Sequence, residues 1–257
     1  MTGPAEQAAT AAPVRRPPEL AGQTVVVIGG SSGMGLETAR RARAEGAGVI
    51  LGALHQDRLD QAAAEVGALS TAAFDATDPA ALGRFFDGLP AQIDHLMVTG
   101  PGPYYAPLAE LDQDRAHRDF DNHQWLAIAV AQHAAGRVRP GGTLVFLAGT
   151  AGERGPGLSL AAAMTAALPA LIANLAVEVA PVRVNLISAG FVDTGLSASL
   201  LGDGLAERRR QLRDTLLIRR VVEPADVAAL AVHIMANTAL TGGTYNIDGG
   251  QQLVPAP

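Results

Sequence analysis

Few side chains in this 257-residue sequence could transfer a proton. The tyrosines are Tyr104, Tyr105 and Tyr245, of which the first two are adjacent and follow an apolar run of strand length. Either of that pair could donate a proton, or both could form the aromatic wall of a substrate pocket. His123 could act as an acid or base because histidine titrates near neutral pH, or it could be a hydrogen-bonded structural residue. All 19 residues of the combined Lys and Arg count are arginines, so no lysine can take part.

A glycine-rich turn stands between an apolar run and a helical segment in "VVVIGGSSGMGLETARRA". Gly29, Gly33 and Gly35 would let the backbone turn tightly and approach a pyrophosphate, and the following helix N-terminus would supply free N–H groups. Ser31 and Ser32 could add hydroxyl contacts. The segment therefore predicts a dinucleotide-binding turn, with a plain strand–helix turn as the alternative.

Apolar runs rich in Val, Ile and Leu recur without clean alternation, which is typical of strands buried on both faces of a parallel sheet. Segments with helical spacing separate them. The pattern predicts an α/β fold, a Rossmann-like doubly wound parallel sheet of about seven strands with helices on both faces. The predicted strand starts are Thr24, Gly48, Leu69, Ile93, Gly142 and Val182, followed by a last strand in "TGGTYNIDGG".

Two longer helices are predicted, from about Leu111 to Val138 and from about Leu158 to Ala180. Pro169 should bend the second helix or lie in its opening turns, because proline has no N–H to donate. The Ala/Pro-rich residues 1–20 are predicted to be a disordered tail without a signal peptide, and residues 21–257 a single domain.

Composition argues against several classes of function. A net charge of -6 with both signs scattered disfavours nucleic-acid binding, and the lack of cysteine excludes disulfides and thiolate metal sites. The histidines form no helical His-x-x-x-His pair, so no metal site is expected. No run is expected to reach the ~18 apolar residues of a membrane span, and a cytoplasmic location is expected.

The glycine spacing resembles the short-chain dehydrogenase/reductase family, and the resemblance extends over nearly the whole chain after residue 20. "FDATD", "LAVEVAPVRVNLISAGFVDTGL" and "TGGTYNIDGGQQL" are similar to further family segments, in the same order. The resemblance implies an NAD(P) cofactor, a small-molecule substrate and a homodimer or homotetramer. The implied cofactor-contacting positions are Gly29, Ser31, Ser32, Gly33, Met34, Gly35, Leu54, His55, Asp75, Ala76, Thr99, Gly100, Gly190, Val192 and Thr194.

The end of the second predicted strand bears on the form of the cofactor. An acidic residue there would bind the ribose diol, and an arginine would bind the 2′-phosphate. Ala53 and Leu54 occupy these positions, with His55 and Arg58 close by. This arrangement slightly favours NADP over NAD, although His55 is equally well explained as a surface histidine.

The family's catalytic residues are absent from the matching positions. Its Tyr-x-x-x-Lys pair falls on Ala161 and Thr165, its serine on Gly149 and its asparagine on His123. The candidate catalytic residues are then Tyr105, His123 and Thr150, and the candidate substrate pocket consists of Tyr104, Tyr105, Gly149 and Thr150. The sequence predicts an NAD(P)-dependent oxidoreductase with a non-standard active site. The alternative is a nucleotide-binding, non-catalytic homologue that acts as a sensor or partner subunit.

Overall fold

The computed structural model describes residues 17–150 and 155–254. Its sheet consists of seven parallel strands in the order β3-β2-β1-β4-β5-β6-β7, which confirms the predicted doubly wound topology. The strands are β1 (Thr24–Ile28), β2 (Gly48–Ala53), β3 (Ser70–Ala73), β4 (Ile93–Thr99), β5 (Val138–Gly149), β6 (Arg183–Ala189) and β7 (Thr244–Ile247).

Helices cover both faces of the sheet. They are α1 (Gly33–Ala44), α2 (Gln56–Val66), α3 (Pro79–Asp87), α4 (Gln113–Ala134), α5 (Ser159–Glu178), α6 (Gly195–Leu201), α7 (Leu205–Thr215) and α8 (Pro224–Ala236). Side chains of α3, α4 and α5 share one hydrophobic core, and those of α1, α2 and α8 share the other.

The strand β1 shows why the apolar runs lack alternation. Val25, Val26 and Val27 are all fully buried, with Val26 in one core and its two neighbours in the other. Successive side chains of a strand point to opposite faces, so a strand covered on both faces needs apolar residues at every position.

The predicted end of the first long helix was wrong. Helix α4 ends at Ala134 rather than near Val138, and Val138 begins β5. The reason is strand pairing, since Val138 pairs with Ile93 and the Ile93 N–H donates to the Arg137 carbonyl at 2.9 Å. The backbone there satisfies its hydrogen bonds in the sheet instead of in another helical turn.

The predicted boundary at residue 21 also needs correction. Residues 1–16 of the predicted tail lie outside the described residues, but Leu20 is fully buried in the core that α1 shares with the sheet. Its N–H donates to the Glu45 carbonyl at 3.0 Å. The folded domain therefore begins before residue 21.

Helix α5 contradicts the expectation that no run is long and apolar enough to cross a membrane. An 18-residue window of this 20-residue helix has a mean hydropathy of 1.9. A stripe of its side chains is nevertheless buried against the protein, at Ala161, Met164, Leu168, Ile172 and Leu175. This spacing of three and four residues is that of a helix packed on a core, which accounts for its apolar composition. Pro169 lies in the middle of the helix and not in its opening turns.

Arg183 ties the start of β6 to the end of α8. Its side chain is 6% exposed, and its guanidinium donates to carbonyls that include those of Ile234 at 2.9 Å and Met235 at 2.8 Å. The carbonyls at a helix C-terminus lack partners within the helix and carry partial negative charge. A cation here satisfies them without a carboxylate partner.

His95 is a buried histidine on β4 that is 1% exposed. Its Nε2–H donates to the Gln23 Oε1 at 2.6 Å, because an amide oxygen only accepts, and its Nδ1 has no partner within the described residues. Burial lowers its pKa to about 3, with Arg183 and Arg139 acting in the same direction and Asp94 opposing them. The folded protein therefore holds His95 neutral where the unfolded chain would protonate it.

We predict that His95 makes stability fall on acidification. Below the ordinary histidine pKa of about 6.5, the unfolded chain binds a proton at His95 and the folded protein does not. The free energy of unfolding therefore decreases between about pH 6.5 and the folded pKa, by about 1.4 kcal/mol for each unit of pH. His95→Gln should flatten the dependence of Tm on pH between about pH 6.5 and 4. His117→Gln, at an exposed position on α4, is the control. Equal pH dependence in both variants would contradict the prediction.

Candidate active site

A cleft of about 490 Å³ opens at the carboxyl edge of the sheet. The ends of β1, β2, β4, β5 and β6 and residues of α1, α5 and α6 line it. Parallel strands end at the same edge, and ligands of such sheets bind there. Of the cofactor positions implied by the resemblance, the cleft brings together Gly29, Ser31, Ser32, Gly33, Met34, Gly35, Leu54, His55, Thr99, Gly100, Gly190, Val192 and Thr194.

The glycine turn is packed so closely that side chains are excluded. Gly29 has a φ of +85°, and a Cβ on it would stand 1.9 Å from the Thr99 Oγ1. A Cβ on Gly35 would stand 2.3 Å from the Gly29 carbonyl oxygen. The first turn of α1 therefore lies directly on the main chain at the end of β1, as the sequence spacing predicts.

The N-terminus of α1 suits an anion. Ser32 is its N-cap, yet the Ser32 side chain makes no capping hydrogen bond, and the first turn contains no acidic residue. The first N–H groups of a helix have no partner within it, and the helix dipole gives this end partial positive charge. With the glycines that allow close approach, the turn fits a pyrophosphate.

The opposite wall of the cleft is formed by the segment that follows β6. Gly190 lies against Asp248 and Gln251, where a Cβ would stand 2.7 Å from either side chain. Thr194 caps α6 in a reciprocal arrangement with Ser197, whose N–H donates to the Thr194 Oγ1 at 3.2 Å. Asp193 accepts two hydrogen bonds from Arg209 of α7. These contacts therefore fix the segment at Gly190, Asp193 and Thr194.

The β2 end of the cleft contains the residues relevant to the form of the cofactor. His55 is the N-cap of α2, and Arg58 lies in the first turn of that helix, exposed and lining the cleft. Asp75 and Ala76 do not line the cleft, although the resemblance implied both. The Asp75 carboxylate instead accepts from the Thr77 N–H at 2.9 Å and the Thr77 hydroxyl at 2.7 Å.

The positions matched to the family's catalytic residues share one end of the cleft. Gly149, Ala161, Thr165 and His123 all line it, and so does Thr150. The Thr165 hydroxyl donates to the Ala161 carbonyl at 2.8 Å and therefore satisfies its own helix. The two α5 positions, Ala161 and Thr165, therefore place neither an acidic nor a cationic side chain in the cleft.

The two adjacent tyrosines have different environments. Tyr105 is 48% exposed and lines the cleft. Tyr104 is buried and does not line it, so its predicted place in the substrate pocket was wrong. Its hydroxyl accepts from the Asp112 N–H at 3.2 Å, and the Arg115 guanidinium stacks 4.1 Å from its ring centre. Tyr104 thus holds the start of α4 in place.

His123 is the titratable side chain with the most defined geometry in this part of the cleft. Its Nδ1 lies 2.7 Å from the Asp119 main-chain oxygen and 3.6 Å from the Asp119 Oδ1. Gln124, the next residue on α4, donates to the Met164 carbonyl of α5 at 3.0 Å. The histidine is therefore placed beside the α5 wall by a contact between the two helices.

Asp119 was not found from the sequence, although its spacing of four residues from His123 was a usable signal, because residues four apart share a helix face. Its side chain is only 10% exposed. Within the described residues, no group of three or more His, Asp or Glu side chains could hold a metal ion. The titratable side chains of the described residues that line this side of the cleft are Tyr105 and His123.

The fold is that of a known class of protein. The family model described as enoyl-(acyl carrier protein) reductase matches residues 28–252. The chain belongs to the short-chain dehydrogenase/reductase family, and relatives named as oxidoreductases or dehydrogenases support an oxidoreductase.

Individual relatives span nearly the whole chain. The 4-formylbenzenesulfonate dehydrogenase of Comamonas testosteroni is 30% identical over 90% of this chain and 98% of its own length. A short-chain dehydrogenase/reductase from Serratia marcescens has a TM-score of 0.82, with 25% identity over 91% of this chain and 99% of that one. A small-chain dehydrogenase in complex with NADPH has a TM-score of 0.77, with 27% identity over 90% and 99%.

We predict that Gly35→Ala weakens nucleotide binding at this turn. The added methyl group would collide with the Gly29 main chain and displace the helix N-terminus from the phosphate position. Titration of NADPH followed by fluorescence should show an affinity at least about tenfold weaker, since one charge-assisted hydrogen bond contributes about 1.5–3 kcal/mol.

Gly195→Ala is the matched control, because Gly195 also lines the cleft but a Cβ there meets open space. Circular dichroism should show that both variants are folded. Wild-type affinity in folded Gly35→Ala would contradict the assignment of the turn.

Proposed function

We propose that this protein is an NADP-dependent reductase of the short-chain dehydrogenase/reductase family with a non-standard active site. The observation that supports this most directly is the single cleft that runs from the glycine turn to His123, Thr150 and Tyr105. The cofactor and proton-transfer groups would therefore face the same substrate.

The residues present fit a nicotinamide dinucleotide. Gly29, Gly33 and Gly35, with the free N–H groups of α1, would bind the pyrophosphate, and the segment Gly190–Thr194 would contact the nicotinamide end. The bound cofactor would supply a hydride from its reduced ring. Because Gly190 has no room for a side chain against Asp248, the segment is fixed where that ring would lie.

Arg58 favours NADP. It is the cationic residue at the β2 end of the cleft, and no carboxylate of the described residues forms an ion pair with it. A guanidinium binds phosphate with charge and paired hydrogen bonds, and a ribose diol needs an acceptor instead. The exposed, apolar Leu54 offers the diol no acceptor.

The substrate end of the cleft favours a compound that is already activated toward hydride. Its walls include Pro103, Leu158, Ala161, Leu196 and Leu200, so the space is largely apolar. An unactivated ketone would become an alkoxide and would need the acid that the missing tyrosine supplies in the family. An alkene conjugated to a carbonyl, or an iminium carbon, accepts hydride with less charge concentrated on one atom. Small organic substrates of these two kinds are therefore proposed.

Self-association is also part of the proposal. Helices α4 and α5 expose large apolar side chains, with Phe120 at 41%, Trp125 at 60% and Val177 at 77% exposure. Such side chains on neighbouring helices suit a contact between copies of the chain. A homodimer or homotetramer that buries them is the proposed form.

We predict that the protein binds NADPH at least about tenfold more tightly than NADH, the size of one charge-assisted contact to phosphate. Arg58→Gln should remove most of this difference by weakening NADPH alone. Arg84→Gln, an equal change of charge at an exposed position on α3, should leave both affinities unchanged. Fluorescence titration of the wild type and both variants with each nucleotide measures all six affinities. Equal binding of both nucleotides by the wild type would reject the NADP assignment.

We also predict that the protein oxidises NADPH in the presence of substrate. The rate of oxidation, measured at 340 nm, should be about tenfold higher with 2-cyclohexenone or 1-pyrroline than with cyclohexanone. The Gly35→Ala variant should be inactive with all three compounds. Binding of NADPH without turnover across a wider panel of enones, imines and ketones would favour the alternative, a nucleotide-binding sensor or partner subunit.

A further inference from the structure

We infer that Asp119 and His123 form a proton-donating pair, in which His123 protonates the substrate and Asp119 is a positioning residue that supports its charged form. The inference rests on the proposed reductase function. It assigns a role to a buried carboxylate that neither the sequence motifs nor the glycine turn explains.

The hydrogen bond at Nδ1 fixes which nitrogen of His123 carries a proton. The partner at 2.7 Å is the main-chain oxygen of Asp119, which can only accept. Nδ1 must therefore carry hydrogen in the neutral as well as the charged ring. Neutral His123 then has a bare Nε2, and only the imidazolium can donate a proton from that nitrogen.

The Nε2 atom is the one that a substrate can reach. The ring lines the cleft, and Nε2 has no hydrogen-bond partner within the described residues. It is also not among their fully enclosed unpartnered side-chain atoms, of which the Nδ1 of His95 is the one example. It is therefore not fully enclosed, and the ring borders both the cleft and a smaller adjoining cavity of about 20 Å³, too small for a substrate.

Asp119 is positioned to favour positive charge on this ring. Its Oδ1 lies 3.6 Å from the His123 Nδ1, while its Oδ2 accepts from the Tyr104 N–H at 3.2 Å. No arginine of the described residues forms an ion pair with it. The Asp119 side chain is 10% exposed, so water screens its charge little, and His123 is the ring within ion-pair distance of it.

Among the described residues that line the cleft with His123, α5 contributes Ala161, Met164 and Thr165, none of which titrates, and α6 contributes leucines. The other titratable side chains that line the cleft are Tyr105, next to the substrate end, and His55 and Arg58 at the β2 end.

The proton transfer balances without a further reactant. Hydride from the reduced nicotinamide cofactor adds to the electrophilic carbon of an enone, and the displaced π electrons pass to the α-carbon and carbonyl oxygen. The His123 Nε2–H bond breaks, the proton joins the α-carbon or the oxygen, and Nε2 keeps the electron pair. The products are the saturated ketone or its enol, the oxidised cofactor and neutral His123. Solvent then returns one proton to Nε2.

The first test compares variants of the full-length protein with NADPH and 2-cyclohexenone. His123→Gln should lower kcat about 100-fold, within the range expected for a general acid. Asp119→Asn keeps an acceptor for the Tyr104 N–H but removes the charge. It should lower kcat about tenfold at pH 7, leave the affinity for NADPH unchanged, and move the pH of half-maximal rate to lower pH.

Asp121→Asn is the matched control, because it makes the same change of charge at an exposed position two residues away on α4. Its pH profile should be that of the wild type, with a rate that decreases as pH rises. A profile for Asp119→Asn that matches the Asp121→Asn profile would overturn the role of Asp119.

The second test does not depend on activity. Nitrogen-15 NMR of histidine-labelled protein, with His123→Gln to identify the signals, should show neutral His123 protonated at Nδ1 and unprotonated at Nε2. Protonation at Nε2 in the neutral ring would overturn the inference.

The two levels of the proposal fail differently. A wild type that binds no NADPH, or that binds it and reduces none of the enones and imines, rejects the reductase function and this inference with it. If the wild type reduces 2-cyclohexenone and the His123→Gln variant reduces it at the same rate, only the inference is rejected.

Discussion

The contact of the first turn of α1 with the main chain of β1 is the constraint on which the cleft depends. A side chain at Gly35 would collide with the Gly29 carbonyl, and one at Gly29 with Thr99. The Thr99 hydroxyl reaches the Ile28 and Gly29 carbonyls at 3.3 and 3.4 Å, so the end of β4 is joined to the same turn. One close approach therefore fixes the helix N-terminus, the turn and the neighbouring strand together.

A second contact fixes the position of the histidine that is proposed as the proton donor. Gln124 of α4 donates to the Met164 carbonyl of α5, and both residues are buried. Because α5 has lost its polar catalytic positions, it acts as an apolar wall whose outer side remains exposed. The adjacent helix α4 then supplies the histidine. The helix that holds the family's proton donor has retained its packing role, and the donor proposed here lies on its neighbour.

The sequence predicted the parts of the structure that depend on local patterns. Apolar runs such as Thr24–Ile28 predicted the strands, because a strand buried on both faces is apolar at successive positions. The glycine spacing predicted the turn because Gly29 and Gly35 are positions without space for a Cβ, and Gly33 has a positive φ. The end of α4 was misplaced because pairing of Val138 with Ile93, distant in sequence, decides it.

The site was harder to predict, since side-chain direction in irregular segments depends on tertiary contacts. Nothing in "PYYAP" separates Tyr104, which packs under Arg115, from Tyr105, which lines the cleft. Asp75 stands in a segment that matches the family, but its carboxylate is bonded to Thr77 in a local turn. The relation between Asp119 and His123 could have been read from their helical spacing, because α4 itself was predicted.

The sign of the buried charge beside the proton donor is the deeper difference from the family pattern. A phenol becomes an anion when it donates, so a neighbouring lysine assists it, and this chain has no lysine. An imidazolium becomes neutral when it donates, so a neighbouring carboxylate is the group that supports its charged form. The half-buried His123 has such a carboxylate at 3.6 Å in Asp119. In the proposed site, a change of donor from phenol to imidazolium therefore requires a change of the supporting charge from cation to carboxylate. Loss of the tyrosine together with the lysine is consistent with retained proton transfer.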